Sequence, residues 1–316
     1  MNYTGSIIPI LLTYRTYSFG ITLLSMEELG QVIVNGIILA GTYALMGVGM
    51  TLIFGLMDLV NFAHGEFYML GAYFVFTTTA LLGLPFWVGF PLGILAVMVF
   101  AYGVDIVLFR PLRNRDILIR MVTTIGLMLV LQNAALLLWG PVEKRLPVPI
   151  GTDSWSIAGI YVAPIHLLAT ALAIALILGL HLYFKKTKEG IALRACFQDQ
   201  ETAQLMGVNV DRAYGLTFSI GAGLAAAGGA ILSMVFFMTP SMGDLATPKA
   251  FTIVILGGVG SLPGAIAGAI VVGLSESLAA TYIAVGYKDA IAFVLLLALL
   301  FFRPQGLFGR AESVES

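Results

Sequence analysis

The chain has 316 residues, 59% of them hydrophobic and 10% charged, with a formal net charge of −1. A charged share so far below the usual roughly 25% excludes an ordinary soluble domain, since water would be left facing most of the apolar surface. A near-neutral chain without a basic, aromatic-interleaved patch offers nothing to nucleic acid, and a single cysteine, Cys196, excludes an internal disulfide and any multi-cysteine metal site.

Residues 1–28 read as an N-terminal extension, not as a cleavable signal, because Arg15 interrupts the apolar stretch and no small-residue cleavage site follows. Residues 29–310 read as one transmembrane domain. Runs without Asp, Glu, Lys or Arg cover 29–57, 67–104, 121–142, 154–184, 213–243 and 250–275. Each can cross a bilayer core that needs about 20 apolar residues. The run 67–104 is long enough for two crossings, with Leu82-Gly83-Leu84-Pro85 as the turn between them. The run 290–302 is short; it spans by starting near Gly286 while Lys288 snorkels to the interface. The expected fold is an all-α polytopic membrane protein of about eight transmembrane helices, at least one of them discontinuous, with a short tail at 311–316.

Basic residues set the orientation. Arg110, Arg113 and Arg115 follow the third apolar segment; Lys185, Lys186, Lys188, Arg194 and Arg212 follow the fifth; Arg303 and Arg310 follow the last. All three clusters are expected in the cytoplasm, which puts 140–163 outside. With 213–238 rising and 239–248 turning outside, a single span over 250–275 would strand the last arginines on the wrong side. A break at Gly257-Gly258-Val259-Gly260-Ser261-Leu262-Pro263-Gly264 removes the conflict, since Gly and Pro free the backbone only where protein or a cavity can satisfy it.

A second break is expected at 58–66, around Asn61, His64 and Glu66. Asp58, Asn61, His64 and Glu66 either line a cavity or sit in a solvated interfacial turn; within lipid they would be costly. Two breaks at comparable places hint at an internal duplication. Gly260, Gly264 and Gly268, spaced four apart, and the Ala/Gly-rich stretch 221–230 read as close-packing surfaces. The amides at Gly257, Gly258, Gly260 and Ser261 are a candidate carboxylate contact. Thr123, Thr124, Gln132 and Asn133 read as interhelical hydrogen-bonding groups. Asp105, Arg120 and Glu276 lie near span ends, where snorkelling or a salt bridge suffices.

Residues 185–212 form a charged island longer than a connection needs. Residues 191–206 read as one short amphipathic helix capped by Gly207. No G-x-x-x-x-G-K-[ST] occurs, so this chain holds no ATP in a P-loop, and neither G-x-S-x-G nor H-E-x-x-H is present.

Four segments, TLIFGLMDLVNFAHGEFYMLGAYF (51–74), TTIGLMLVLQN (123–133), LRACFQDQETAQLMGVNVDRAYGLTFSIGAGLAAAGG (193–229) and VILGGVGSLPGAIAGAIVVG (254–273), resemble the membrane-spanning permeases of high-affinity branched-chain amino acid ABC importers, the LivH type, and their urea and amide relatives. The likeness runs from about residue 30 to 309. It implies a bacterial inner-membrane permease that is not itself an enzyme. The partners implied are a second related permease, two cytoplasmic ATP-binding subunits that hold ATP and Mg, and an external solute-binding protein; no cofactor would be bound by this chain. The island 185–212 would then be the coupling loop, with Arg194, Asp199, Glu201, Ala203 and Gly207 transmitting ATPase closure. Asn61, His64, Glu66, Gly257, Gly258, Gly260 and Ser261 would flank the translocation path. An ATPase-independent carrier or channel is the reading from another class.

Overall fold

The computed structural model describes residues 26–150, 153–157, 159–303 and 305–308. Most of the expected extension, residues 1–25, together with Arg310 and the 311–316 tail, lies outside them; residues 26–28 form the first turn of helix α1.

Helix α1, Met26–Met57, has 32 residues and is about 48 Å long at 1.5 Å per residue. The chain breaks after it and resumes as α2, His64–Phe76. A π-helical turn, Thr77–Leu81, ends this element; the Thr77, Thr78 and Thr79 hydroxyls donate to the Tyr73 and Val75 carbonyls there. Pro85 starts α3, Phe86–Val104, which continues through Asp105–Phe109 and Arg110–Leu112. Then come α4 (Ile117–Trp139), the antiparallel pair β1 (Trp155–Ile157) and β2 (Ile160–Val162), and α5 (Pro164–Lys186). Two short helices follow, α6 (Lys188–Gln198) and α7 (Gln200–Leu205). The last four are α8 (Val210–Val235), α9 (Met242–Gly257), α10 (Leu262–Tyr282) and α11 (Lys288–Phe302).

Among the described residues, seven segments are long and apolar enough to cross a membrane: α1, α3 with its continuation, α4, α5, α8, α10 and Val285–Phe302. α2 and α9 are not among them. They are half-helices, so the expected eight spans resolve into seven plus two discontinuous elements.

α1 and α8 are the most buried spans, while α4, α5 and α11 are peripheral. Small residues explain the centre. Gly49 and Gly221 face each other, Gly71 abuts the Ala226 backbone, and Gly229 abuts the Tyr68 carbonyl; a Cβ at any of these positions would overlap main-chain atoms. Lipid provides no hydrophobic drive between helices, so such close approach, with its dispersion contacts, is what holds them together. The expectation for 221–230 thus holds. Gly264 and Gly268 pack the same way, against Gly257 and the Ile253 carbonyl. Gly260 does not: it lies in the loop before α10 with φ +77°, and open space surrounds the place of its missing Cβ. It belongs to the turn, not to the packing ladder.

The basic clusters gather at one end. Arg110 and Arg113 both bind Asp211, and Arg212 lies 3.8 Å from Glu189. A Cβ on Gly55, near the end of α1, would come 3.2 Å from Phe197 of α6 and from Gly260, which puts the glycine-rich turn at that end too. The opposite end is closed by Gln31, which exchanges hydrogen bonds with the Tyr161 backbone at 2.8 and 3.1 Å, and by a bridge between Lys144 and Met238.

Candidate functional site

The sequence places Asn61, His64 and Glu66 where a long apolar helix must stop. Met57 ends α1, and Arg120 of α4 donates to its carbonyl at 3.3 Å, a cation at a helix C-terminus. Asp58 then takes a left-handed φ of 46°, which Asp tolerates better than most residues, and the chain turns back into the fold. It reaches considerable depth: His64 Nε2 lies 3.0 Å from the Met46 carbonyl, about 16 Å along α1 from its end at 1.5 Å per residue.

Backbone freed by such a turn needs partners from the protein. Thr124 of α4 accepts from the Phe62 amide at 3.2 Å, and the Asn61 side chain accepts from the Ala63 amide at 3.1 Å. Thr247 of α9 accepts from the Gly65 amide at 2.8 Å and donates to the Phe62 carbonyl at 3.1 Å. Asn61, His64 and Glu66 are fully buried. The solvated interfacial turn is therefore not what forms.

α9 meets this turn head-on. It begins not beyond 248, as expected from a turn over 239–248, but at Met242, with Pro248 inside it. Gly243 abuts Gly65, and a Cβ on Gly243 would come 2.6 Å from Glu66 Oε1. The two half-helices thus start at the same depth and run to opposite ends. Each opens on the same pattern, His64-Gly65-Glu66 and Met242-Gly243-Asp244. The counterpart of the first break is consequently 236–241, not the glycine-rich turn 257–264. That pattern was the signal available in the sequence for Asp244, which sequence reasoning missed.

Glu66 points at the start of α9, the turn that also carries Asp244. Among the described residues, neither Glu66 oxygen has a hydrogen-bond partner, and the Asn61 Nδ2 and His64 Nδ1 atoms are equally unpartnered. Asp244 is exposed on the face shared with α4 and accepts from Gln132 Nε2 at 2.9 Å. Gln132 bonds between helices as expected; Thr124 bonds instead to the backbone of the turn at Val60 and Phe62, and Thr123 and Asn133 bond back to carbonyls of their own helix.

A different face of α9 borders a cavity of about 690 Å³ near the end opposite the basic clusters. Met242, Leu245 and Lys249 recur on it at helical spacing. Lys249, another residue sequence reasoning missed, lies 2.9 Å from the Tyr43 hydroxyl, 2.9 Å from Glu276 Oε1 and 2.6 Å from Asp289 Oδ1. The Oε1 contact lies outside hydrogen-bonding geometry and is purely Coulombic, whereas Oε2 accepts from Lys249 at 3.2 Å and from Tyr43 at 2.7 Å. Of the two expectations for Glu276, the salt bridge is the one that forms, within a buried ion cluster. Asp105 is likewise buried, 3.2 Å from Arg113.

At the basic end, Gly257 and Gly258 close α9, Gly258 with φ +96°. Ser261 Oγ accepts from the Gly264 amide at 3.1 Å, capping α10. Gly260 and Ser261 line a hollow of about 540 Å³ with Phe308. The stretch expected as one helix over 191–206 is two helices. Asp199 ends α6 and caps α7, accepting from the Thr202 amide at 3.0 Å; the Thr202 hydroxyl and amide hold its carboxyl below the usual range. Gly207, with φ +88°, ends α7 in a Schellman turn: Val208 donates to Ala203 and Gly207 to Gln204, each at 3.0 Å. Leu193, Cys196 and Ala203 are buried, whereas Arg194 and Glu201 are exposed and Leu205 and Met206 stand out at 88% and 81% exposure.

A family described as the branched-chain amino acid transport system permease component matches residues 32–300. The high-affinity branched-chain amino acid transport system permease protein BraD of Pseudomonas aeruginosa is 37% identical over 295 residues, covering 89% of this chain and 96% of that protein. The permease protein LivH of Escherichia coli is 35% identical over 298 residues, with the same two coverages. The probable permease LivH of Methanocaldococcus jannaschii is 28% identical over 307 residues, covering 90% and 95%.

Proposed function

Since this chain belongs to the branched-chain amino acid transport system permease family, we propose that it forms one half of the membrane pathway of an ATP-driven importer in the bacterial inner membrane. A second related permease supplies the other half. Two cytoplasmic subunits bind and hydrolyse ATP with Mg, and an external binding protein delivers leucine, isoleucine or valine. The basic end faces the cytoplasm, by the excess of Lys and Arg there.

One observation carries the pathway reading: two half-helices meet deep in the fold with carboxylates on their first turns, Glu66 unpartnered and Asp244 exposed. Lipid disfavours a charge on an outer face at this depth, whereas a pathway between two permeases accepts it. Coupling reaches this point through contacts already described. Leu205 and Met206 offer an apolar edge to an ATPase groove; α6 carries the displacement through Phe197 to Gly55 and Gly260, at the foot of α1 and α9. Rigid-body tilting then opens the path alternately to either side.

The test is ATP hydrolysis and uptake by the complete complex in liposomes, with the binding protein loaded in turn with leucine, isoleucine, valine, urea and acetamide. Stimulation by the three branched-chain amino acids is expected. Stimulation by urea or acetamide alone would overturn the substrate, and solute flux through the chain reconstituted without ATPase would overturn the importer.

A further inference from the structure

Two carboxylates stand on the first turns of the two half-helices, which meet at Gly65 and Gly243. Glu66 is fully buried, has no donor on either oxygen among the described residues, and is aimed at the first turn of α9. Asp244 stands on that turn and is exposed towards α4, where Gln132 fixes one of its oxygens at 2.9 Å. The basic groups that the fold could have sent here are held elsewhere: Lys249 by Glu276 and Asp289 on another face of α9, and Arg120 by the Met57 carbonyl. The helix N-termini explain how two carboxylates are tolerated so close together, because each occupies the positive end of its own half-helix. They do not supply a donor to Glu66, since the amides of Phe62 and Gly65 are taken by Thr124 and Thr247.

We infer that Glu66 and Asp244, oriented by Gln132, form a binding site for the ammonium group of the transported amino acid. An ammonium has three donors; two carboxylates and the Gln132 amide oxygen offer it acceptors, and bonds between charged partners are the stronger ones. The site is open on the Asp244 side and closed on the Glu66 side, so the solute enters from the face shared with α4 and presents its amine inward. The apolar side chain and the carboxylate are left to the rest of the path. This inference rests on the import reading and adds selection: solutes without a cationic head do not pass.

The experiment uses the complete complex in proteoliposomes and records uptake per ATP hydrolysed. Wild type is expected to take up leucine. Glu66→Gln and Asp244→Asn should each lower uptake per ATP at least about tenfold, the scale of one lost charge-assisted bond, while Asp244→Glu recovers most of it. A second readout is labelling of Glu66 by dicyclohexylcarbodiimide, located by mass spectrometry. Leucine and 3-methylbutylamine should slow it, and 4-methylpentanoate and sodium should not. Equal protection by sodium would reassign the site to an inorganic cation. Unchanged uptake per ATP in both neutral variants, in a complex whose wild type imports leucine, would overturn the ammonium site alone. A wild type that imports no branched-chain amino acid would overturn the reading beneath it.

Discussion

Replacing Lys249 by Met should cost the folded permease about 3 kcal/mol. Lys249 is buried and bridges Tyr43 of α1, Glu276 of α10 and Asp289 of α11. Removing one partner of a buried ion pair typically costs roughly 3–5 kcal/mol, because the other charge stays behind uncompensated. Two features move the expectation to the low end. The Tyr43 hydroxyl still donates to Glu276 at 2.7 Å, and the Asp289 side chain is 30% exposed and can turn to water. Methionine fills most of the lysine stem's volume, so the loss reports charge and not a void. The assay is equilibrium unfolding of the purified permease in mixed micelles by SDS titration, with a double-mutant cycle. Lys249→Met/Glu276→Gln should be at least about 1 kcal/mol more stable than Lys249→Met, since the stranded carboxylate has gone. A single-variant loss under about 1 kcal/mol, or a double variant no better than the single, would refute the account of a charge cluster tying these helices together.

Gly65→Val should prevent accumulation of folded permease in membranes, because its side chain would occupy the Gly243 backbone, whereas Gly103→Ala, with open space around it, should accumulate normally; immunoblotting of membrane fractions compares them. Leu205→Ser with Met206→Ser should abolish ATPase stimulation by loaded binding protein while leaving the unfolding midpoint of the isolated permease unchanged, since both side chains are exposed. Asp199 has its folded-state pKa depressed by Thr202. The stabilisation it gives α7 is therefore fully present above its unfolded pKa of about 3.9 and is lost as pH falls through the lower folded value. Binding of the ATPase subunits to the permease, followed by co-purification, should show no dependence on Asp199 ionisation between pH 6 and 8 and should fall in Asp199→Ala at every pH, because the cap is gone.

The turn at Leu82 to Pro85 and the break before Leu262 were legible in the sequence because Gly and Pro announce them and the charge rule demands the second. The start of the last span near Gly286 was legible because the run 290–302 alone is too short to cross; the span runs over Val285–Phe302. The division of 191–206 at Asp199 was not, although Asp is a preferred N-cap residue; the apolar periodicity of 191–206 masked it. Lys249 gives no local signal, since it directly precedes the uncharged run 250–275. Its partners lie 27 and 40 residues away in sequence, and no local pattern announces a pairing across three helices. Gly260 was misassigned because spacing by four suggests a helix face, while its positive φ is a property of the turn.

The route by which Lys249 finds its partners constrains how the protein is made. α9 has only 16 residues and carries Asp244 at its start and Lys249 at its middle. A lysine at the centre of an inserting helix costs about 2.5–3.5 kcal/mol on the translocon scale, and a helix this short has little apolar length to offset it. Glu276 and Asp289 are synthesised after Lys249, on α10 and α11. α9 therefore cannot settle in the bilayer as an independent unit during synthesis. It must wait in the insertion machinery, or at the interface, until the following two helices arrive, so the C-terminal third is a single unit of membrane integration. A chain truncated before α10 would leave α9 at the membrane surface, and the quality-control proteases of the membrane would meet it there.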